Sequence, residues 1–316
     1  MQFLEKTYKV AEHYFCVNAK EDFPFWPMMK ECYGPFETIG NDNNPLFTIT
    51  IDCSVIDDKK KTLIYSNQDD VKDGFISFSV FKTGDSSHYF ELRQPQSSEI
   101  NGCMHISSDL SNATLKVSGK DIEQWLTFNT AVSLCFHLAS STYNTLLLHA
   151  SAVEYNGRAY LFLGKSGTGK STHSRMWLKA IDRVTLMNDD HPIIRVWDNG
   201  DIIAYGSPWS GKTRCYKNID APLGGIIRIV RAMHNKAIRL SPIQSYASIM
   251  TSCGGMVWEK ELADGRDTTI QQIISRIPCW NMECLPNEEA AIICSTEVTK
   301  VWAKKRQEDK LCITLY

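Results

Sequence analysis

The sequence predicts an α/β protein with a mixed sheet, preceded by a small β-rich domain. Three observations carry that prediction. Residues 1–118 hold short runs of alternating, β-branched and aromatic residues separated by turn-rich stretches. Residues 119–316 mix strand-like runs with runs of helical spacing. One strand pair of that second part is joined by Asn156-Gly157, so the sheet is entered through an antiparallel hairpin and not through a parallel β-α-β crossover.

Bulk properties narrow the function. With 316 residues, two domains (1–118 and 119–316) can each bury a core. A net charge of -2, from 34 basic and 36 acidic residues, marks neither a nucleic-acid nor a membrane-surface binder. The run Lys59-Lys60-Lys61 follows Asp57 and Asp58 and reads as a solvated turn. The cysteines number 11, contain no C-x-x-C pair, and at Cys279 and Cys284 lack histidines at zinc spacing, which predicts reduced thiols. There is no signal-peptide core and no apolar run near the roughly 18 residues of a membrane span, so a cytoplasmic protein is expected.

The elements follow in order. FTITIDC from Phe47, FISFSVF from Phe75, HYFELR from His88 and ATLKVSG from Ala113 read as strands, with turns at GNDNNP from Gly40 and KTGDSS from Lys82. FPFWPMM from Phe23 reads as core or hinge filling. Asp121 and Gln124 stand at capping-box spacing, and Ile122, Trp125 and Leu126 follow at helical spacing, predicting a helix over 121–140. LLLHASAVEY from Leu146, RAYLFLG from Arg158 and VTLMND from Val184 are strand candidates, and HPIIRVW with DIIAYG forms a hairpin about Asn199-Gly200. Helices are predicted from Ser241, Thr268 and Asn287.

Two stretches fit G-x-x-x-x-G-K-[ST], the P-loop spacing: GKSGTGKS from Gly164 and GSPWSGKT from Gly206. A phosphate cradle needs glycines for a tight turn, a helix N-terminus behind it, a lysine for the phosphates and a hydroxyl for Mg²⁺. The first stretch meets each need. Gly164, Lys165, Ser166, Gly167, Thr168, Gly169, Lys170, Ser171 and Thr172 follow an apolar strand and lead into THSRMWLKA, a helix candidate. The second fails: Pro208 has no N–H, Trp209 is bulky where close approach is wanted, and RCYKNIDAP afterwards is not amphipathic. Its Ser207, Ser210, Lys212 and Arg214 are still donors that a hairpin would bring back toward the site, where Lys212 or Arg214 would neutralise a transferring phosphate. Counting back through the Asn-Gly hairpin sets His149 opposite Gly164, at the loop's mouth. Asp189 and Asp190 end the strand VTLM, where phosphoryl transfer wants one carboxylate near Mg²⁺ and another as proton acceptor.

His149, the Asn-Gly hairpin, GKSGTGKS and the Asp pair together resemble the catalytic domain of HPr kinase/phosphorylase, over roughly residues 145–235. SGTGKST also resembles the ATP-dependent phosphoenolpyruvate carboxykinases, which share that P-loop fold. The resemblance implies that Gly164–Ser171 binds ATP and Mg²⁺, that Asp189 is the base toward the acceptor, that Asp190 serves the metal or active-site structure, and that His149 partners the catalytic aspartate. The comparable stretch APLGGIIRIV from Ala221 lacks the Leu-Glu-x-Arg-Gly motif tied to HPr binding and phosphorolysis. The implied activity is therefore that of an HPr-kinase-related kinase acting on serine hydroxyls in a protein, a peptide or the free amino acid. The family is oligomeric, which sets a homo-oligomer as an expectation here. The alternatives are a carboxykinase-type phosphotransferase and a non-catalytic, ATP-gated binding module.

Overall fold

The computed structural model describes residues 2–39, 44–52, 60–68, 76–95, 97–254 and 258–314, with backbone alone from 304. Gly40 to Asn43, Asp57 to Lys59 and Phe75, which belong to turns and a strand expected from the sequence, lie outside the described residues. Lys61, at the end of the basic run, is not simply solvated. It pairs with Glu91 at 3.0 Å and lies over the Tyr89 ring at 4.1 Å. No described helix is long and apolar enough to cross a membrane.

Contacts divide the chain into Met1–Tyr143 with Met256–Ala263, and Asn144–Gly255 with Asp264–Tyr316. The division thus falls after Tyr143, where the sequence pattern had placed it after Ser118.

The first unit holds β1 (Phe3–Val10), β2 (His13–Lys20), α1 (Trp26–Cys32), β3 (Glu37–Thr38), β4 (Phe47–Ile51), β5 (Thr62–Ser66), β6 (Ser77–Lys82), β7 (His88–Arg93), β8 (Ile100–Ile106), β9 (Asn112–Val117) and α2 (Asp121–Ser140). Its strands form one mixed sheet in the order β3-β1-β2-β4-β9-β8-β7-β6-β5, parallel at β2–β4 and β4–β9. One sheet face is apolar because the buried side chains of Phe15, Phe47, Ile49, Leu115, Met104 and Phe90 share it. α2 packs on it, Phe136 against Phe15 and Cys135 against Met104. The cap differs from expectation: Glu123, not Gln124, accepts a backbone N–H, that of Lys120 at 3.0 Å. Ile122 and Leu126 are exposed, and Trp125 alone of the three is buried. From FPFWPMM, Phe23, Phe25 and Met29 are core, the two phenylalanines against Phe128, while Pro24, Pro27 and Met28 are exposed. Trp258 also belongs to this unit, its ring 4.7 Å from that of Tyr65.

The second unit holds β10 (Thr145–Leu147), β11 (Ala150–Tyr155), β12 (Arg158–Leu163), α3 (Lys170–Ala180), β13 (Thr185–Asp190), β14 (Ile193–Val196), β15 (Ile202–Tyr205), β16 (Asp220–Arg231), β17 (Lys236–Arg239), α4 (Pro242–Met250), most of α5 (Lys260–Arg276), β18 (Cys279–Cys284) and α6 (Glu288–Thr314). Its sheet runs β10-β14-β15-β16-β12-β11-β13, with β18 parallel to β16 and β17 antiparallel to β18. β12 and β16 are parallel and β11–β12 antiparallel, so this sheet is mixed too. Alternation along β12 builds two cores. Ala159, Leu161 and Leu163 face α4 and α5 through Ile249, Ile270 and Ile273, while Tyr160 and Phe162 face α3 and α6 through Trp177, Ala291 and Cys294.

The β11–β12 turn is the one its dipeptide demands. Tyr155 faces Arg158, and Asn156 and Gly157 have φ of 53° and 72°, the type I′ pattern. A Cβ on Gly157 would meet nothing within 4 Å, so a Gly157→Ala change isolates the backbone term. It is expected to cost about 1–2 kcal/mol, read as a lowered denaturation midpoint at unchanged m-value.

Candidate active site

β12 ends at Leu163 and the chain turns through Gly164, Gly167 and Gly169 with φ of 153°, 73° and 119°, a conformation that side chains with a Cβ disfavour. The Lys165 carbonyl accepts the Thr168 N–H at 3.1 Å and the Thr168 hydroxyl at 2.7 Å, closing the turn. The Arg231 guanidinium, from the end of β16, donates to the Gly167 carbonyl and, at 3.2 Å, to the Thr168 carbonyl. α3 starts at once at Lys170, so its first-turn N–H groups, which have no intrahelical partners, adjoin the loop.

Lys170 is 8% exposed. Its Nζ donates to the Gly164 carbonyl at 3.0 Å and lies 3.1 Å from His149 Nε2. Burial holds the ammonium below its usual pKa, opposed by the charges of Asp190 and Asp189. His149 stands where the run from Leu146 breaks into β10 and β11. The break is made by Leu148 bridging to Cys253 and the His149 N–H bonding the Ser252 carbonyl at 2.8 Å. Ala150 pairs with Leu163, so the register sets His149 level with Gly164. Burial first, then the Lys170 charge, push the imidazole down to about 4, against the pull of Asp190. The ring is neutral near pH 7, and its Nε2 accepts the Lys170 N–H.

β13 pairs antiparallel with β11, which brings the Asp pair beside His149. Asp189 is buried, and Asp190 is half-buried with Oδ2 3.2 Å from His191 Nδ1. Burial raises the Asp190 pKa, but the His191 hydrogen bond and the charges of His191, His149 and Lys170 outweigh it, so the carboxyl lies below its usual value. Asp190 Oδ1 lies 3.6 Å from His149 Nε2, because Asp190 pairs with Ala150, the residue next to His149.

The stretch from Gly206 is no second cradle: Trp209 is buried, and the next regular element is β16. The loop instead folds back on β13. Gly211 N–H bonds the Asp189 carbonyl at 2.9 Å, and Ser210 bridges Asp190. Asn188, fully buried, makes that return possible. Its amide donates to the carbonyls of Ser207 and Trp209 at 3.3 and 3.1 Å and its Oδ1 accepts the N–H groups of Asp190 and His191. Asn188→Ala removes these bonds from a buried position and is expected to destabilise by about 2–3 kcal/mol, measurable by chemical denaturation. Lys212 follows Gly211 and is exposed. The structure thus gathers Lys170, His149, Asp189, Asp190 and the Gly211–Lys212 backbone in one place.

A cavity of about 390 Å³ adjoins the loop, bordered by Gly169, Thr172, His173, Met176, Arg231 and Leu285 among others. Asn188, His191, His173 and Arg231 escaped the sequence reading. The first two flank the Asp pair and carried a proximity signal; Arg231 lies 60 residues or so from the loop in sequence and reaches it only through the parallel pairing of β12 with β16.

Against known proteins, the chain matches no family model and no curated protein. Among solved structures it is similar to the Hpr(Ser) kinase/phosphatase from Coxiella burnetii, with 13% identity, a TM-score of 0.33, and coverage of 53% of this chain and 97% of that one. A likeness at that level decides nothing about activity.

Proposed function

We propose that the second unit is an ATP-dependent kinase that transfers the γ-phosphate, with Mg²⁺, to a serine-type hydroxyl of a protein, a peptide or free serine. The observation that carries this reading is Lys170, buried at the head of α3 between the glycine loop and the His149–Asp190 pair. A lysine whose ammonium rests on loop carbonyls exchanges them for phosphate oxygens at little cost in position.

In this reading Gly164 to Thr172 cradle the phosphates through loop and helix N–H groups. Asp189 accepts the proton as the acceptor oxygen bonds Pγ and the β–γ bridging P–O bond breaks, with ADP leaving. His149, neutral, orients Lys170 by accepting its N–H. Lys212, which follows the Gly211 whose N–H bonds the Asp189 carbonyl, offers a second positive charge to the transferring group or the acceptor. The donor set fits Mg²⁺: the Ser171 hydroxyl and the Asp190 carboxylate are hard oxygen ligands, and the lowered Asp190 pKa keeps it ionised near neutrality. Mg²⁺ would supply charge neutralisation between the phosphates.

The test is ATP labelled in the γ-phosphate, offered with Mg²⁺ to the protein together with free serine, serine peptides and a cell extract. Label on one acceptor supports a kinase. ADP formed only with oxaloacetate would instead mean a carboxykinase-type phosphotransferase. Tight ATP binding without turnover under any acceptor would mean an ATP-gated binding module.

A further inference from the structure

The phosphate loop opens on one side into the cavity of about 390 Å³, and Thr168, Gly169 and Thr172 belong to both. A molecule held at the loop and extending past Thr172 enters that cavity. Its volume is in the range of small-molecule sites, about 300–1,000 Å³. Met176, Ile229, Ala232, Leu285 and Pro286 give it apolar walls, while Arg231 stands at the rim with its guanidinium held by the Gly167 and Thr168 carbonyls. Apolar walls with a charged planar group at the rim suit a flat, uncharged heteroaromatic ring.

His173 supplies the polar group inside. It is 3% exposed, and the edge of its ring lies against Phe162, with centroids 4.8 Å apart. Its Nε2 lies 3.1 Å from Trp177 Nε1. An indole N–H can only donate, so His173 Nε2 must accept and carries no proton. The neutral ring's proton is therefore on Nδ1, and the group His173 can offer the cavity is an N–H donor, not an acceptor. Burial pushes the His173 pKa down to about 4, so this tautomer persists at neutral pH.

We propose that this cavity is the nucleobase site of the bound nucleotide and that His173, its tautomer locked by Trp177, is a specificity-determining residue that donates through Nδ1–H to a ring-nitrogen acceptor of a purine. The proposal rests on the nucleotide reading of the loop. A purine covers more of the apolar wall than a pyrimidine does, and purines carry several ring-nitrogen acceptors on a rigid double ring. Trp177 is thus a positioning residue: buried in the core between α3 and β12, it sets which proton His173 shows to the ligand.

Calorimetric titration of the full chain with Mg-ATP, Mg-CTP and Mg-tripolyphosphate tests this. Tripolyphosphate reads the loop alone. ATP is expected to bind at least about 100-fold more tightly than tripolyphosphate and about 10-fold more tightly than CTP. His173→Phe keeps a ring and removes the donor; it is expected to lose the ATP-over-CTP preference and leave tripolyphosphate unchanged. Met176→Trp, at a half-buried position, fills the cavity and leaves both His173 and Trp177 unsubstituted, and keeps the test alive if His173→Phe does not fold. It is expected to reduce ATP affinity to that of tripolyphosphate. ATP binding no tighter than tripolyphosphate, or ATP affinity unchanged in Met176→Trp, would overturn the base site while the phosphate loop stands. An ATP-over-CTP preference intact in a folded His173→Phe protein would overturn the role of His173. No binding of any of the three probes would overturn the nucleotide reading and this proposal with it.

Discussion

Alanine at Lys170 is expected to lower phosphoryl transfer by about three orders of magnitude, roughly 4 kcal/mol of transition-state stabilisation. The size follows from place as much as from charge. Lys170 is buried, its Nζ fixed by the Gly164 carbonyl and His149 Nε2, so no solvent ion replaces its charge. In the kinase reading, removing it leaves the charge developing on the transferring phosphate, beside Asp189 and Asp190, to Mg²⁺ and the exposed Lys212 alone. Truncation also removes a buried stem, so Lys170→Met, which keeps most of the volume, separates packing from charge. Both variants should be inactive, with Lys170→Met melting nearer the parent. An active Lys170→Met protein would show that the lysine is structural and remove the main support for a kinase.

Asp189→Asn and Asp190→Asn are expected to fail in different ways. Asparagine at 189 removes a proton acceptor while keeping shape; turnover should fall by about 10²- to 10⁴-fold with ATP affinity unchanged. Asparagine at 190 removes the carboxylate that lies 3.6 Å from His149 Nε2 and bonds His191. The expected result is a raised Mg²⁺ requirement, with activity partly recovered at high Mg²⁺, because the proposed ligand and a neighbouring negative charge are lost together. Steady-state rates across a Mg²⁺ series for both variants give the answer. The reverse pattern, with Asp189→Asn rescued by Mg²⁺ and Asp190→Asn inert at every concentration, would exchange the two roles. The proximity of Asp190 to His149 makes that comparison worth making first.

What the sequence made legible lies where local physics dominates. Asn156-Gly157 sets its own turn, and a two-residue turn fixes register, so the place of His149 beside Gly164 could be counted from the chain. The capping box at Ser241 and Gln244 likewise announces α4, with reciprocal bonds at 3.0 and 3.4 Å. The β1–β2 hairpin shows the opposite case. Its turn residues, Ala11 and Glu12, have φ of 49° and 62° without glycine, asparagine or aspartate to signal it. Such a turn is imposed by the long pairing of Phe3–Val10 with His13–Lys20, not by its own residues, so no strand before Phe47 was legible.

The candidate site divides in the same way. Sequence by itself determined the glycine loop, its lysine at the helix start and the two carboxylates at a strand end, because each needs only neighbours in the chain. Tertiary structure alone decided that Asp190 lies beside His149, that Arg231 holds the loop carbonyls, that Asn188 pins the Gly206–Thr213 stretch onto the Asp pair, and that Trp177 fixes the proton on His173. Those outcomes depend on the order of strands and the facing of helices in a packed sheet. That order is set by burial summed over the whole unit, and burial carries no address in any short stretch of residues.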